Sequence, residues 1–257
     1  MVNMLHEIAG HAGLAYLSGL KIKAVNTTTA YLEVNWDNEI ATNGFWKLRL
    51  FLLGGVFLNF ISGLIGYLVL RYNQSLNPQM RVFLWYFASF SYTVILMNLV
   101  SAPLTGGGDL AEIINTLENK LLAKSLVLMG GMIFMILGYI LIQRAFMVKI
   151  KRSKLITLTF IPVVVIIIIQ SLSLIKSPFA YLPPTENHLL ASVFAFFHFV
   201  IWATIVNIIP APGNKHDTIT ILPGKSTLWI ISGVIIAIFY IFILGPGIGS
   251  FEGHPSL

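Results

Sequence analysis

The sequence contains no cysteine, and it is poor in charge. Without cysteine, disulfides and thiolate metal sites are excluded, so a bound metal has to be held by His, Asp or Glu. Charged residues make up 10% of the chain, whereas soluble domains carry roughly 25%. With 56% hydrophobic residues and a mean hydropathy of +0.83, there is too little polar surface for a water-soluble fold. The surplus of 16 Lys and Arg over 10 Asp and Glu would point to nucleic acid in a soluble domain. Here the charges lie at the ends of apolar runs, as in a membrane protein, and no nucleic-acid partner is expected. The basic n-region of a secretory signal is also missing: the first apolar stretch carries Glu7 and two histidines, so residues 1–19 read as structure.

What the chain has in quantity is apolar runs. They recur near residues 48–70, 82–100, 122–143, 155–175, 188–209 and 227–245, each close to the ~20 residues of a spanning helix. Residues 1–19 would be a seventh, about 28 Å long as one ideal helix. With only five residues before His6, the first turns of that helix are expected to precede the recorded start. The expected fold is an all-α polytopic membrane protein with six or seven transmembrane helices, a single integral membrane domain over residues 1–257. The basic cluster Arg144, Lys149, Lys151, Arg152 and Lys154 marks a cytoplasmic loop, which places the N-terminus inside. By the same count Asp109, Glu112 and Glu118 fall outside, as does the C-terminal tail. Between the first two runs, KIKAVNTTTAYLEVNW alternates at Leu32, Val34 and Trp36 behind a polar NTTT turn, which predicts a small β-hairpin after the first helix.

The motif with chemistry in it is HEIAGH, His6 to His11. Two histidines one helical turn apart can donate ring nitrogens to Zn²⁺, while a glutamate directly after the first deprotonates the attacking water. Glu7 stands in that position. The histidines, however, are five residues apart, which on an ideal α-helix puts them roughly 140° apart. A π-turn, closing on the fifth residue, would restore them to one face, and Gly10 lowers the steric cost of such a distortion. Ionisable residues inside a membrane segment are costly and are usually functional.

With GGVFLN (Gly55 and Asn59) and NLVSAPLTGGGD (Asn98 and Asp109), HEIAGHAGLAYLSGLKI resembles the site-2 protease family of intramembrane zinc metalloproteases, in particular its minimal members. The family's HExxH is lengthened here by one residue. The likeness covers residues 1–115, a metalloprotease-like core, and leaves 116–257 as additional transmembrane helices. It implies a multi-pass protein of a prokaryotic cell membrane that hydrolyses peptide bonds in or near membrane segments of substrate proteins. The lipid bilayer and a membrane-protein substrate would be its partners. The resemblance implies Glu7 as base, His6, His11 and Asp109 as zinc ligands, and Asn59 and Asn98 as groups that hold substrate or the broken helix. A re-entrant Pro103–Gly108 loop would carry Asp109 into the membrane; otherwise Asp217, beside His216, is the alternative third ligand. Two rivals stay open: a catalytically inactive membrane zinc-binding protein, and a secondary transporter with broken helices at 98–109 and 207–217. The glycine pairs Gly54–Gly55 and Gly130–Gly131 read as sites of close helix packing.

Overall fold

The computed structural model describes residue 2 and residues 5–25, 30–146, 159–161, 164–165, 168, 197, 200–208, 227–244 and 248–249. The expected spans at 155–175 and 188–209 lie largely outside these residues, as do His216 and Asp217. The described chain is mostly helical. The first helix, α1, is a π-helix over Leu5–Ala12 that passes into α-helix over Gly13–Leu17. It ends at Ser18 and Gly19, the latter at φ 74°. Its described length, Leu5–Leu17, is shorter than the ~20 residues that cross a bilayer.

Strands β1 (Ile22–Val25), β2 (Ala30–Leu32) and β3 (Ile248–Gly249) form one sheet in the order β2-β1-β3. β1 and β2 pair antiparallel, Ile22 opposite Leu32 and Val25 opposite Ala30, with an irregularity between Ile22 and Ala24. The polar turn expected between them lies outside the described residues, so the pairing is observed and the closed hairpin is not. Helix α2 (Trp36–Asn43) starts where the Asn35 side chain accepts from the Asn38 amide. It stops at Gly44, φ 69°. Lys47 then pairs with Glu39 at 2.6 Å, and its hydrogen bond holds the Glu39 carboxyl below the usual carboxylate range.

Three helices are long and apolar enough to cross a membrane: α3 (Trp46–Tyr72), α4 (Pro78–Thr105) and α6 (Lys120–Phe146). α4 begins on an Asn77 cap with Pro78 in its first turn, where a missing N–H costs nothing. Arg81 reaches back to donate to the carbonyls of Asn73 and Gln74, fixing the connection from α3. Near its far end α4 contains a π-turn, Met97–Ser101, followed by a last α-turn, Ala102–Thr105. The stretch expected as a re-entrant loop, Pro103–Gly108, is therefore helical up to Thr105 and breaks only at Gly106 and Gly108, both at positive φ. Asp109–Asn115 forms the short α5. Thr227–Phe239 forms α7, which runs into a further π-turn, Tyr240–Leu244.

The chain packs as two compact units: Met1–Leu58 with Ile166–Pro183 and Lys225–Leu257, and Asn59–Val165 with Pro184–Gly224. In the second, Trp85 is wholly buried, stacked on Phe146 at 4.6 Å and tilted against Trp202 at 5.5 Å. Polar contacts between helices add to this: Thr93 and Tyr139 share a hydrogen bond of 2.9 Å, and Ser62 donates to Ser91 at 3.3 Å. The outward faces are apolar, with Leu121, Leu126, Ile133 and Leu137 of α6 each more than half exposed. Such a surface is stable in lipid and prone to aggregate in water. Three helices of spanning length with such faces are compatible with a membrane protein.

The two glycines of the Gly130–Gly131 pair part company. A Cβ on Gly131 would lie 2.9 Å from the Leu99 Cβ and 3.0 Å from its carbonyl oxygen, whereas one on Gly130 would meet nothing within 4 Å. Among the described residues, only Gly131 of the pair packs against a neighbouring helix. Gly131→Leu should lower the unfolding temperature in detergent by about 3–10 °C, the cost of overpacking, and Gly130→Leu should leave it nearly unchanged. Differential scanning fluorimetry of the two variants checks this; equal shifts would remove the distinction.

Candidate metal centre

His6, Glu7 and His11 all lie on the π-helical part of α1, and they are 7%, 7% and 4% exposed. The five-residue spacing is accommodated by widening the helix, so that the turn closes on the fifth residue and both imidazoles leave the same face. Their Nε2 atoms stand 3.1 Å apart, with the rings edge to face at 4.7 Å between centroids.

The second support comes from α3. Gly10 packs directly on the α3 backbone: a Cβ there would lie 2.6 Å from the Gly55 Cα and 2.8 Å from the Gly54 carbonyl oxygen. One residue position does further work, because a side chain on Gly55 would occupy the volume of the His6 ring. Gly54 and Gly55 therefore let two helix backbones approach without intervening side chains, and Gly55 also houses a ligand ring. One turn earlier on α3, the Phe51 carbonyl oxygen lies 2.7 Å from the His11 Nδ1. A carbonyl can only accept, so Nδ1 carries the proton and a neutral His11 presents the Nε2 lone pair. Backbone carbonyls commonly orient metal-binding histidines in this way. The Phe51 ring, centred 5.1 Å from that of His11, closes one side.

Two chemistries suit this pair. His6 can donate one proton from Nε2 to His11, or both nitrogens, unprotonated, can converge on one cation. Two nitrogens each ~2.0–2.1 Å from a tetrahedral ion lie about 3.3–3.4 Å apart. The observed 3.1 Å is within a few tenths of that, so the pair can hold a metal ion with little movement.

The second unit contains the other expected residues. Asp109 is the first residue of α5, behind Gly108 at φ 93°, and its carboxylate is a donor of the same metal-binding kind. Asn98 lies on the π-turn of α4; its Nδ2 donates to the Val94 carbonyl at 3.4 Å, and a Cβ placed on Gly108 would lie 3.5 Å from its Oδ1. It thus lies close to the glycine segment that leads to Asp109. Asn59 is wholly buried in α3, and its backbone carbonyl accepts from Ser62. The alternative ligand Asp217 falls outside the described residues.

Two features escape a reading of the motif. The Phe51 carbonyl has no sequence signature, since every residue owns one. The π-turn around Asn98 has a faint one, in a helix that continues through an apolar run to Pro103. Comparison with protein-family models, curated proteins and solved structures finds no match to this chain. Function has therefore to be argued from the site itself.

The packing of His6 against Gly55 is testable without any metal. Gly55→Leu should drive the ring out of its slot, so that diethyl pyrocarbonate modifies His6 several-fold faster than in the unsubstituted protein, as quantified by peptide mass spectrometry. An unchanged rate would mean that Gly55 does not shape the site.

Proposed function

We propose that this chain is an intramembrane zinc metalloprotease that hydrolyses peptide bonds in or near membrane segments of other proteins. The observation that carries the reading is the π-helical pair His6 and His11, buried, 3.1 Å apart at Nε2, with the His11 tautomer set by the Phe51 carbonyl. A glutamate follows the first histidine inside a chain whose long helices suit a bilayer.

On this reading His6 and His11 hold the ion through Nε2, and Asp109 is the third ligand, with Asp217 as the alternative. Bound there, zinc would supply Lewis-acid polarisation of the scissile carbonyl and of the attacking water. Glu7 takes the proton from that water and delivers it to the leaving amine nitrogen. Asn59 and Asn98 would position substrate backbone. The substrate helix has to unwind locally, because a helical backbone keeps its carbonyls in internal hydrogen bonds.

The test is metal content beside turnover, in detergent-purified protein. Near-stoichiometric zinc should be lost in His6→Ala and in His11→Ala, and Asp109→Ala against Asp217→Ala names the third ligand. Glu7→Gln should keep its zinc while cleavage falls about 10²–10⁴-fold, the usual contribution of a general base. Full activity in that variant defeats the assignment. Zinc retained with no turnover of any membrane substrate would leave a metal-binding module.

One observation favours a second reading. α4 is interrupted by the π-turn at Met97–Ser101 and by the break at Gly106 and Gly108, as in the discontinuous helices of secondary transporters. Uptake into proteoliposomes that depends on Asp109 and survives Glu7→Gln would establish it.

A further inference from the structure

The central strand of the sheet that packs on the histidine-bearing helix is already paired on both sides. β1 packs against the π-helix that carries His6, Glu7 and His11, and so does β2. Ala24, in the middle of β1, is 1% exposed, so the strand is held firmly. One edge of β1 is taken by β2, the next strand in sequence. The other is taken by a segment more than two hundred residues away: β3 pairs antiparallel, Ala24 opposite Gly249 and Val25 opposite Ile248.

β3 is an unusual partner for such a place. It is two residues long, it lies in the sequence GPGIGS, and Ile248 is half exposed. Glycine weakens a strand by its backbone entropy, and proline removes a ladder donor. Among the described residues, Ile248 is half exposed and Gly249 has no side chain, so β3 is held chiefly by its main-chain pairing. A row of backbone N–H and C=O groups beside a candidate metal centre is a template for an extended peptide, which binds through main-chain hydrogen bonds. A weak, glycine-flanked strand on that row is easily exchanged for a better one.

We propose that β3 is a built-in strap: the chain's own C-terminal segment fills the β1 edge in cis, and an extended peptide strand reaches that edge by displacing it. As a control on proteolysis this rests on the protease reading above; as a peptide-binding edge it does not. By population arithmetic, a strap seated nine-tenths of the time weakens binding of an incoming strand about tenfold.

The absence of cysteine allows a clean test in the 257-residue chain. Val25 and Ile248 are opposite each other, and antiparallel partners have Cα atoms ~4.5–5.5 Å apart, within reach of a disulfide. Val25→Cys with Ile248→Cys should lock the strap when oxidised and release it on reduction, each sample being its own control for folding. The probe is a labelled synthetic peptide of residues 245–253, GPGIGSFEG, followed by fluorescence anisotropy beside cleavage of a membrane substrate. The oxidised form should lose both peptide binding and cleavage, the reduced form should match the unsubstituted protein, and Ile248→Pro should bind the peptide about tenfold more tightly. Peptide binding that obeys this order with no cleavage in any form keeps the strap and overturns the protease reading. Cleavage and peptide binding that ignore the lock overturn the strap, and show that incoming strands use another edge, such as that of β2.

Discussion

At Gly10, Gly54 and Gly55 the backbones of α1 and α3 touch with no side chain between them, and the candidate metal centre depends on that contact. Were these helices held apart by ordinary side chains, the His6 ring would have no slot and the His11 Nδ1 would not reach the Phe51 carbonyl. In lipid, apolar side chains gain little from association, so small residues that permit close van der Waals contact carry much of the helix packing. The same contact that brings the helices together thus orients the rings. Structure and chemistry share their residues here.

The π-helix is the second half of that arrangement. An extra residue between two ligands would ordinarily turn one of them away from the other. Widening the turn over Leu5–Ala12 absorbs the residue and leaves both imidazoles on one side. π-turns recur at Met97–Ser101, beside Asn98, and at Tyr240–Leu244. Distortions of this kind are rare in helices and frequent at functional sites. The one at Asn98 precedes the glycine break from which α5 and Asp109 start.

Three of the expected spans were legible from hydropathy, because a spanning helix needs an apolar run of fixed length. The runs at 48–70, 82–100 and 122–143 correspond to α3, α4 and α6. The limits of such reading are local. Residues 1–19 look like a spanning helix by hydropathy; their described part, Leu5–Leu17, begins as a π-helix, which hydropathy does not show. Pro103 to Gly108 looks like a loop, yet the helix runs on past Pro103 to Thr105 and breaks only where Gly106 and Gly108 take positive φ. Gly130 and Gly131 look alike in sequence, and among the described residues only Gly131 meets a neighbouring helix.

Composition and motif spacing by themselves determined that this chain suits a bilayer, that a bound metal would lack sulfur ligands, and that His6 and His11 could cooperate only through a π-turn. Those conclusions depend on local quantities: residue type, run length and the angle per residue. Tertiary structure alone decided that Gly55 houses the His6 ring, that the Phe51 carbonyl sets the tautomer of His11, and that β3 returns to pair with β1. Each of these joins residues 40 or more positions apart, or uses a backbone atom that every residue possesses, and no local pattern encodes such a meeting.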